Sequence, residues 1–104
     1  MAKRTPPTFP AAERQLAALG ERLRAARRRR RLTQAVVAAR VGVSKQTLAK
    51  LEAGNPSTSL ATMLRLLQVL GLAQDIDRIA VDDELGRQLQ DLEQRGPPRG
   101  RSAP

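Results

Sequence analysis

The residues whose types suit chemistry gather in one stretch, "RLTQAVVAARVGVSKQTLAKLEAG", from Arg31 to Gly54. Ser44, Lys45, Gln46, Thr47 and Lys50 are donors and short polar groups, with no acid among them until Glu52. Such side chains bond to phosphate oxygens and to base edges. Just ahead stand five consecutive arginines, Arg27–Arg31. One or two cations suit a helix C-terminus through its dipole; five exceed what capping needs and favour phosphate contact by some of Arg28 to Arg31.

Other chemistries are excluded or weak. The chain has no Cys and no His. Disulfides, thiolate or imidazole metal sites, a His base and a Cys nucleophile are therefore ruled out. There is no Gly-rich phosphate loop, and no catalytic or cofactor site is expected. Asp82, Asp83 and Glu84 are consecutive. On a helix they splay around the axis, so a solvated first turn is favoured over a metal site. Phe9 is the single aromatic, so there is no stacking platform for RNA.

The elements that position the polar stretch are helical. Hydrophobics are 40 % of residues and aromatics 1 %, so the core must be built from Leu, Val, Ile, Ala and Met, which suits helices better than a sandwich. Leu16, Leu19, Leu23 and Ala26 give a first helix from about residue 13 to 30. Thr33 caps a second helix with Val37, Ala38 and Val41 inward; Gly42 turns the chain and Val43 fills the corner. Ser44 caps a third helix, with Leu48 and Leu51 inward, that Gly54 ends. Ser59 caps a fourth, carrying Leu60, Met63, Leu64, Leu67 and Leu70 to Gly71. A short fifth helix presents Leu72, Ile76 and Ile79, favoured as a dimer interface over core. Over 82–95, Leu85, Leu89 and Leu92 are spaced for one more helix that needs a partner to be stable.

The resulting division is a flexible basic and Pro-rich arm over 1–12, a domain over 13–81, an acidic, Leu-bearing tail over 82–95 and a disordered end over 96–104. Lys3 and Arg4 on the arm are as suited to a minor groove as to no role. Charge is unevenly shared. Residues 1–54 hold 13 Lys+Arg against 3 Asp+Glu, residues 55–104 hold 6 against 7, and the net is +9. A pole of this kind points to a polyanion. "MAKRTPPTFP" has no apolar run behind its basic residues, and "SLATMLRLLQVLGLA" is interrupted by Arg65 and Gln68. Neither reads as a secretory signal or a membrane span, so a cytoplasmic, nucleoid-associated bacterial location is the expectation.

Two short helices joined at Gly42-Val43-Ser44 form a helix-turn-helix corner, whose second helix enters the major groove. Over roughly residues 16–72 the chain resembles the phage-repressor-like (XRE) helix-turn-helix regulators, through Thr33-Gln34, Ala38, Gly42-Val43-Ser44, Leu48, Leu51-Glu52 and Gly54. Val37 stands where Leu is more usual. The resemblance implies an all-α, compact five-helix bundle of the lambda-repressor-like type with disordered tails. It implies that Gln34 touches a phosphate and braces the third helix, that Lys45 and Gln46 read bases, and that Lys50 faces base or phosphate. It gives Thr47 a phosphate or a thymine methyl, and pairs Arg27 with Glu52 as an ion pair between helices one and three. The segments "LGERLRAARRRRRLTQ" and "SLATMLRLLQVLGL" and the Asp- and Leu-rich tail also resemble HipB-type antitoxins, which are dimeric and whose partner is a HipA-like Ser/Thr kinase toxin.

The function expected is a sequence-specific, dimeric repressor on an inverted-repeat operator in double-stranded DNA, with an antitoxin role. The alternative is a protein-interaction module in which DNA contact is secondary. Catalysis is not expected.

Overall fold

The structure is a computed structural model and describes residues 9–95. The described chain is helical: α1 Pro10–Arg29, α2 Gln34–Val41, α3 Lys45–Glu52, α4 Leu60–Leu70, a 3-10 helix Ala73–Arg78 and α5 Glu84–Arg95. It divides into two units, one ending at Ala73 and one beginning at Gln74. No helix among the described residues is long and apolar enough to cross a membrane.

Six helical elements replace the expected bundle of five. The fifth is a 3-10 helix because the end of α4 consumes the residue that would have started it: the Leu72 N–H bonds to the Leu67 carbonyl behind Gly71, which has φ 76°. The six residues that follow form a 3-10 connector at the end of α4, a common place for such turns. Leu72 and Ile76 are half-buried and Ile79 is exposed. α1 starts at Pro10 rather than near Glu13. Proline suits the first helical position, where its missing N–H has no partner to lose. The arm expected over 1–12 is already helical from Pro10 on; its residues 1–8, like the end over 96–104, lie outside the described residues.

In the first unit α3 packs on both α1 and α2, and α2 packs on α4. The core is Leu23, Ala26, Val37, Ala38, Val41, Leu48, Leu51, Leu66, Leu67 and Leu70. Val37, Ala38 and Val41 line one face of α2, as do Leu48 and Leu51 on α3.

α4 is turned from its expected face. Thr62, Leu66, Leu67 and Leu70 are buried, Met63 and Leu64 are half-buried, and Leu60 is 67 % exposed. The Ser59 hydroxyl donates to the Thr62 hydroxyl at 2.9 Å and accepts from the Thr62 N–H at 3.1 Å. Thr62 is thus satisfied and can be buried without an orphaned polar atom.

Close approach between α1 and the end of α3 requires glycine twice. A Cβ on Gly20 would collide with the Glu52 carbonyl, and one on Gly54 would lie 2.7 Å from Ala17 Cα. Gly54 also has φ 81°. α1 and α3 therefore meet backbone to backbone.

Candidate nucleic-acid interface

α2 and α3 are each started by a side-chain cap. Thr33 Oγ1 accepts from the Val36 N–H at 3.1 Å, and Ser44 Oγ from the Thr47 N–H at 3.0 Å. Between them Gly42 sits at φ 89°, and its N–H and that of Val43 both bond to the Ala38 carbonyl. A left-handed residue closes α2 at little cost when it is glycine. This corner fixes which side of α3 faces out.

The inward side of α3 is fastened by charge as well as by leucines. Arg27 Nε donates to Glu52 Oε2 at 2.6 Å, and Arg27 Nη2 to Glu52 Oε1 at 3.1 Å. Gln34 Nε2 donates to the same Oε1 at 2.9 Å. Arg27 Nη1 donates to the Leu32 carbonyl at 2.9 Å. One carboxylate at the end of α3 thereby ties α1 and the first residue of α2 together. Burial, the largest single influence, pushes the Glu52 carboxyl up. Hydrogen bonds from Arg27 and Gln34, with the charges of Arg27 and Arg24, outweigh it and hold the carboxyl below its ordinary value of 4.5.

On the outward side Lys45, Gln46 and Lys50 are exposed. At 3.6 residues per turn Gln46 and Lys50 lie opposite the buried Leu48, Leu51 and Glu52, with Lys45 on the flank. Ala49 and Ala53 stand beside Gln46 and add little bulk to that face. Ser44 and Thr47 are occupied locally: the Ser44 hydroxyl donates to Thr47 Oγ1 at 3.0 Å while serving as the cap. Thr47 is half-buried and keeps its own O–H to give.

A cleft of about 400 Å³ is lined by Arg24, Arg27, Arg28, Thr33, Gln34, Ala35 and Lys45. It brings Arg28, Gln34 and Lys45 together at the N-terminal ends of α2 and α3, where helix dipoles favour anions. Ser44, Gln46, Thr47, Lys50 and Arg31 do not line it.

Arg24, which sequence reading had not singled out, belongs to this cleft. Its Nε forms a longer ion pair with Glu52 Oε1 at 3.7 Å, too far for a hydrogen bond, and is buried with no hydrogen-bond partner among the described residues. The signal for it was spacing: Arg24 precedes Arg27 by three positions and shares its face of α1.

Arg31 is exposed and has φ 58°. Its N–H bonds to the Arg28 carbonyl and the Leu32 N–H to the Arg27 carbonyl, a termination that usually employs glycine at the left-handed position.

No curated protein and no solved structure matches the chain. A family model described as "Helix-turn-helix domain" matches residues 18–78. That span covers α1 from its ninth residue through α4 and the 3-10 helix, including the capped corner and the Glu52 tie. The chain belongs to this helix-turn-helix domain family.

Proposed function

We propose that the chain is a sequence-specific transcriptional repressor of double-stranded DNA, placing the outward face of α3 in the major groove. The carrying observation is the contrast between the two sides of α3. Glu52 fastens one side to α1 and α2, while Lys45, Gln46 and Lys50 stand exposed on the other. A rigid helix presenting donors is what base readout requires. Arg24, Arg28 and Gln34 would then position a backbone phosphate at the edge of the groove. Ser44 and Thr47 take a lesser part, since their hydroxyls already serve the cap. Catalysis forms no part of the proposal.

One such helix reads only a few base pairs, so the proposed functional form is a homodimer on an inverted repeat with half-sites about 34 Å apart. The finer reading, a HipB-type antitoxin with a HipA-like kinase as partner, is supported by the resemblance of the arginine-rich and leucine-rich segments. A bacterial, nucleoid-associated location accompanies it.

The test is a mobility-shift titration on the DNA upstream of the chain's own gene, against an unrelated duplex, at two salt concentrations. Preference by about a thousandfold with steep salt dependence is the expected result. Equal, weak binding to both duplexes would reject it. A second reading, capture of a protein partner, is favoured by one observation: Leu85, Leu89 and Leu92 on α5 are all more than half exposed.

A further inference from the structure

We propose that α5 is a self-pairing helix, and that two copies of the chain join through it in an antiparallel pair. The inference deepens the proposed dimer and moves its seat. It relies on the DNA reading only for the usefulness of a two-fold axis.

α5 is amphipathic. Leu85, Leu89 and Leu92 recur at intervals of four and three and form one seam, exposed by 66 %, 56 % and 66 %. Ile79 and Val81 in the same unit are 68 % and 65 % exposed. The three leucines thus keep the larger part of their surface uncovered on one face of α5, an apolar stripe of the kind that marks an interaction surface. Two copies closing on the three leucines bury several hundred Å², the size of a weak, concentration-dependent pair. α5 is also too short to be stable alone in water, so its seam requires a cover.

The charge pattern names the cover and its direction. At 100° per residue the seam is flanked by Gln88 and Arg95 on one side and by Gly86 and Glu93 on the other. No row of like charges borders it, so a second seam can approach. Arg87 and Asp91 lie on the far face, and Arg87 is already held by Asp82 at 2.9 Å. The helix begins in acid, with Asp82, Asp83 and Glu84, and ends in Arg95. Side by side in parallel, two copies would set three acids against three. Antiparallel, each acidic start meets the partner's Arg95, Leu85 meets the partner's Leu92, and Leu89 lies at the two-fold axis. The macrodipoles oppose as well. An isologous two-fold contact of this kind closes on itself and stops at two copies.

The experiment uses the full chain without DNA, so that failure of pairing and failure of DNA reading are separate results. Sedimentation equilibrium from micromolar to millimolar concentration should give about twice the 11.4 kDa chain mass. Leu89→Glu should raise the dissociation constant by about tenfold or more, with the thermal melt of the helix-turn-helix unit unchanged. A wild-type chain that stays at single-chain mass, or a Leu89→Glu chain that pairs as tightly as wild type, would overturn the proposal. Direction is read separately, because the chain has no cysteine. Under mild oxidation, a mixture of Leu85→Cys and Leu92→Cys chains should cross-link one variant to the other. Cross-linking of each variant to itself would overturn the antiparallel arrangement.

Discussion

Glu52→Ala removes the carboxylate that fastens α3 and leaves its partners behind. Its side chain has no exposed surface, and it accepts from Arg27 at 2.6 and 3.1 Å and from Gln34 at 2.9 Å. Without it the Arg27 guanidinium, on a side chain 8 % exposed, loses its counter-charge. Breaking a buried pair from one side costs about 3–5 kcal/mol. The Leu32 carbonyl still accepts from Arg27 Nη1, which places this case at the lower end. A domain of this size is stable by about 5–15 kcal/mol in total, so the loss is a large fraction. Replacing both partners, Arg27→Met with Glu52→Leu, removes the two charges together. That variant should return to within about 1 kcal/mol of wild type, since paired burial is offset by desolvation. Gln34 is half-buried and can turn to water. Urea unfolding followed by circular dichroism of Arg27→Met, Glu52→Leu and the two together completes the cycle, and a coupling of about 2 kcal/mol or more is expected. A double variant that loses the sum of the two single losses would refute the reasoning.

The same carboxylate sets a pH signature. Its folded pKa is depressed below the unfolded value of 4.5. Its stabilisation is therefore fully present above 4.5 and is lost as pH falls through the folded pKa. Wild type should lose stability more steeply than the double variant below that pH.

Lys45→Ala with Gln46→Ala should abolish preference for the upstream DNA by roughly tenfold to a hundredfold per good base contact, with the melting temperature unchanged; retained discrimination would sink the α3 reading. Arg31→Gly should raise stability by about 1 kcal/mol, because Arg31 occupies φ 58° where glycine is unstrained. The same change should weaken DNA binding and lower the slope of log K against log salt by about 0.9; unchanged salt dependence would take Arg31 out of the interface. Gly20→Ala should destabilise by about 1–3 kcal/mol despite alanine's better helix propensity, since its Cβ would strike the Glu52 carbonyl. A stabilised Gly20→Ala chain would mean that α1 and α3 have room to separate.

What was legible in the sequence was local. Thr33 and Ser44 as caps and Gly42 as the turn rest on chemistry within four residues, and each is found in that role. The inward face of α3 is legible because Leu48 and Leu51 stand three apart among polar residues; in α2 only Gln34 and Arg40 are polar, and the Thr33 cap and Gly42 turn mark its ends. The face α4 buries is not legible, since "LATMLRLLQVL" offers an apolar residue to almost every direction and the choice is made by its packing on α2. The short fifth helix is legible as a helix, but its 3-10 type and its start at Ala73 are not, because they depend on where α4 stops. Gly20, a glycine inside a helix, is a visible signal whose reason lies in α3. Arg31 carried none, for nothing in five identical residues marks which one turns left-handed.

The sequence already sets Arg27 apart as Glu52's partner; the fold divides the other four arginines of the run as well. Arg27 is spent on Glu52, and Arg30 Nη1 donates to the Ala26 carbonyl at 2.8 Å, closing its own helix. Among the described residues Arg28, Arg29 and Arg31 are exposed and make no side-chain hydrogen bond or ion pair, so their charge is available to a polyanion. Substitutions in the run should therefore separate by readout. Arg27→Met alone strands the Glu52 carboxylate and should appear in the unfolding midpoint. Arg28→Ala and Arg29→Ala should leave the midpoint within about 0.5 kcal/mol, as ordinary surface changes do. Where either residue reaches a phosphate, the salt slope should fall by about 0.9. If the run acted only as a diffuse basic patch, all five substitutions would shift the salt slope alike and none would move the midpoint, an outcome incompatible with the distances around Glu52.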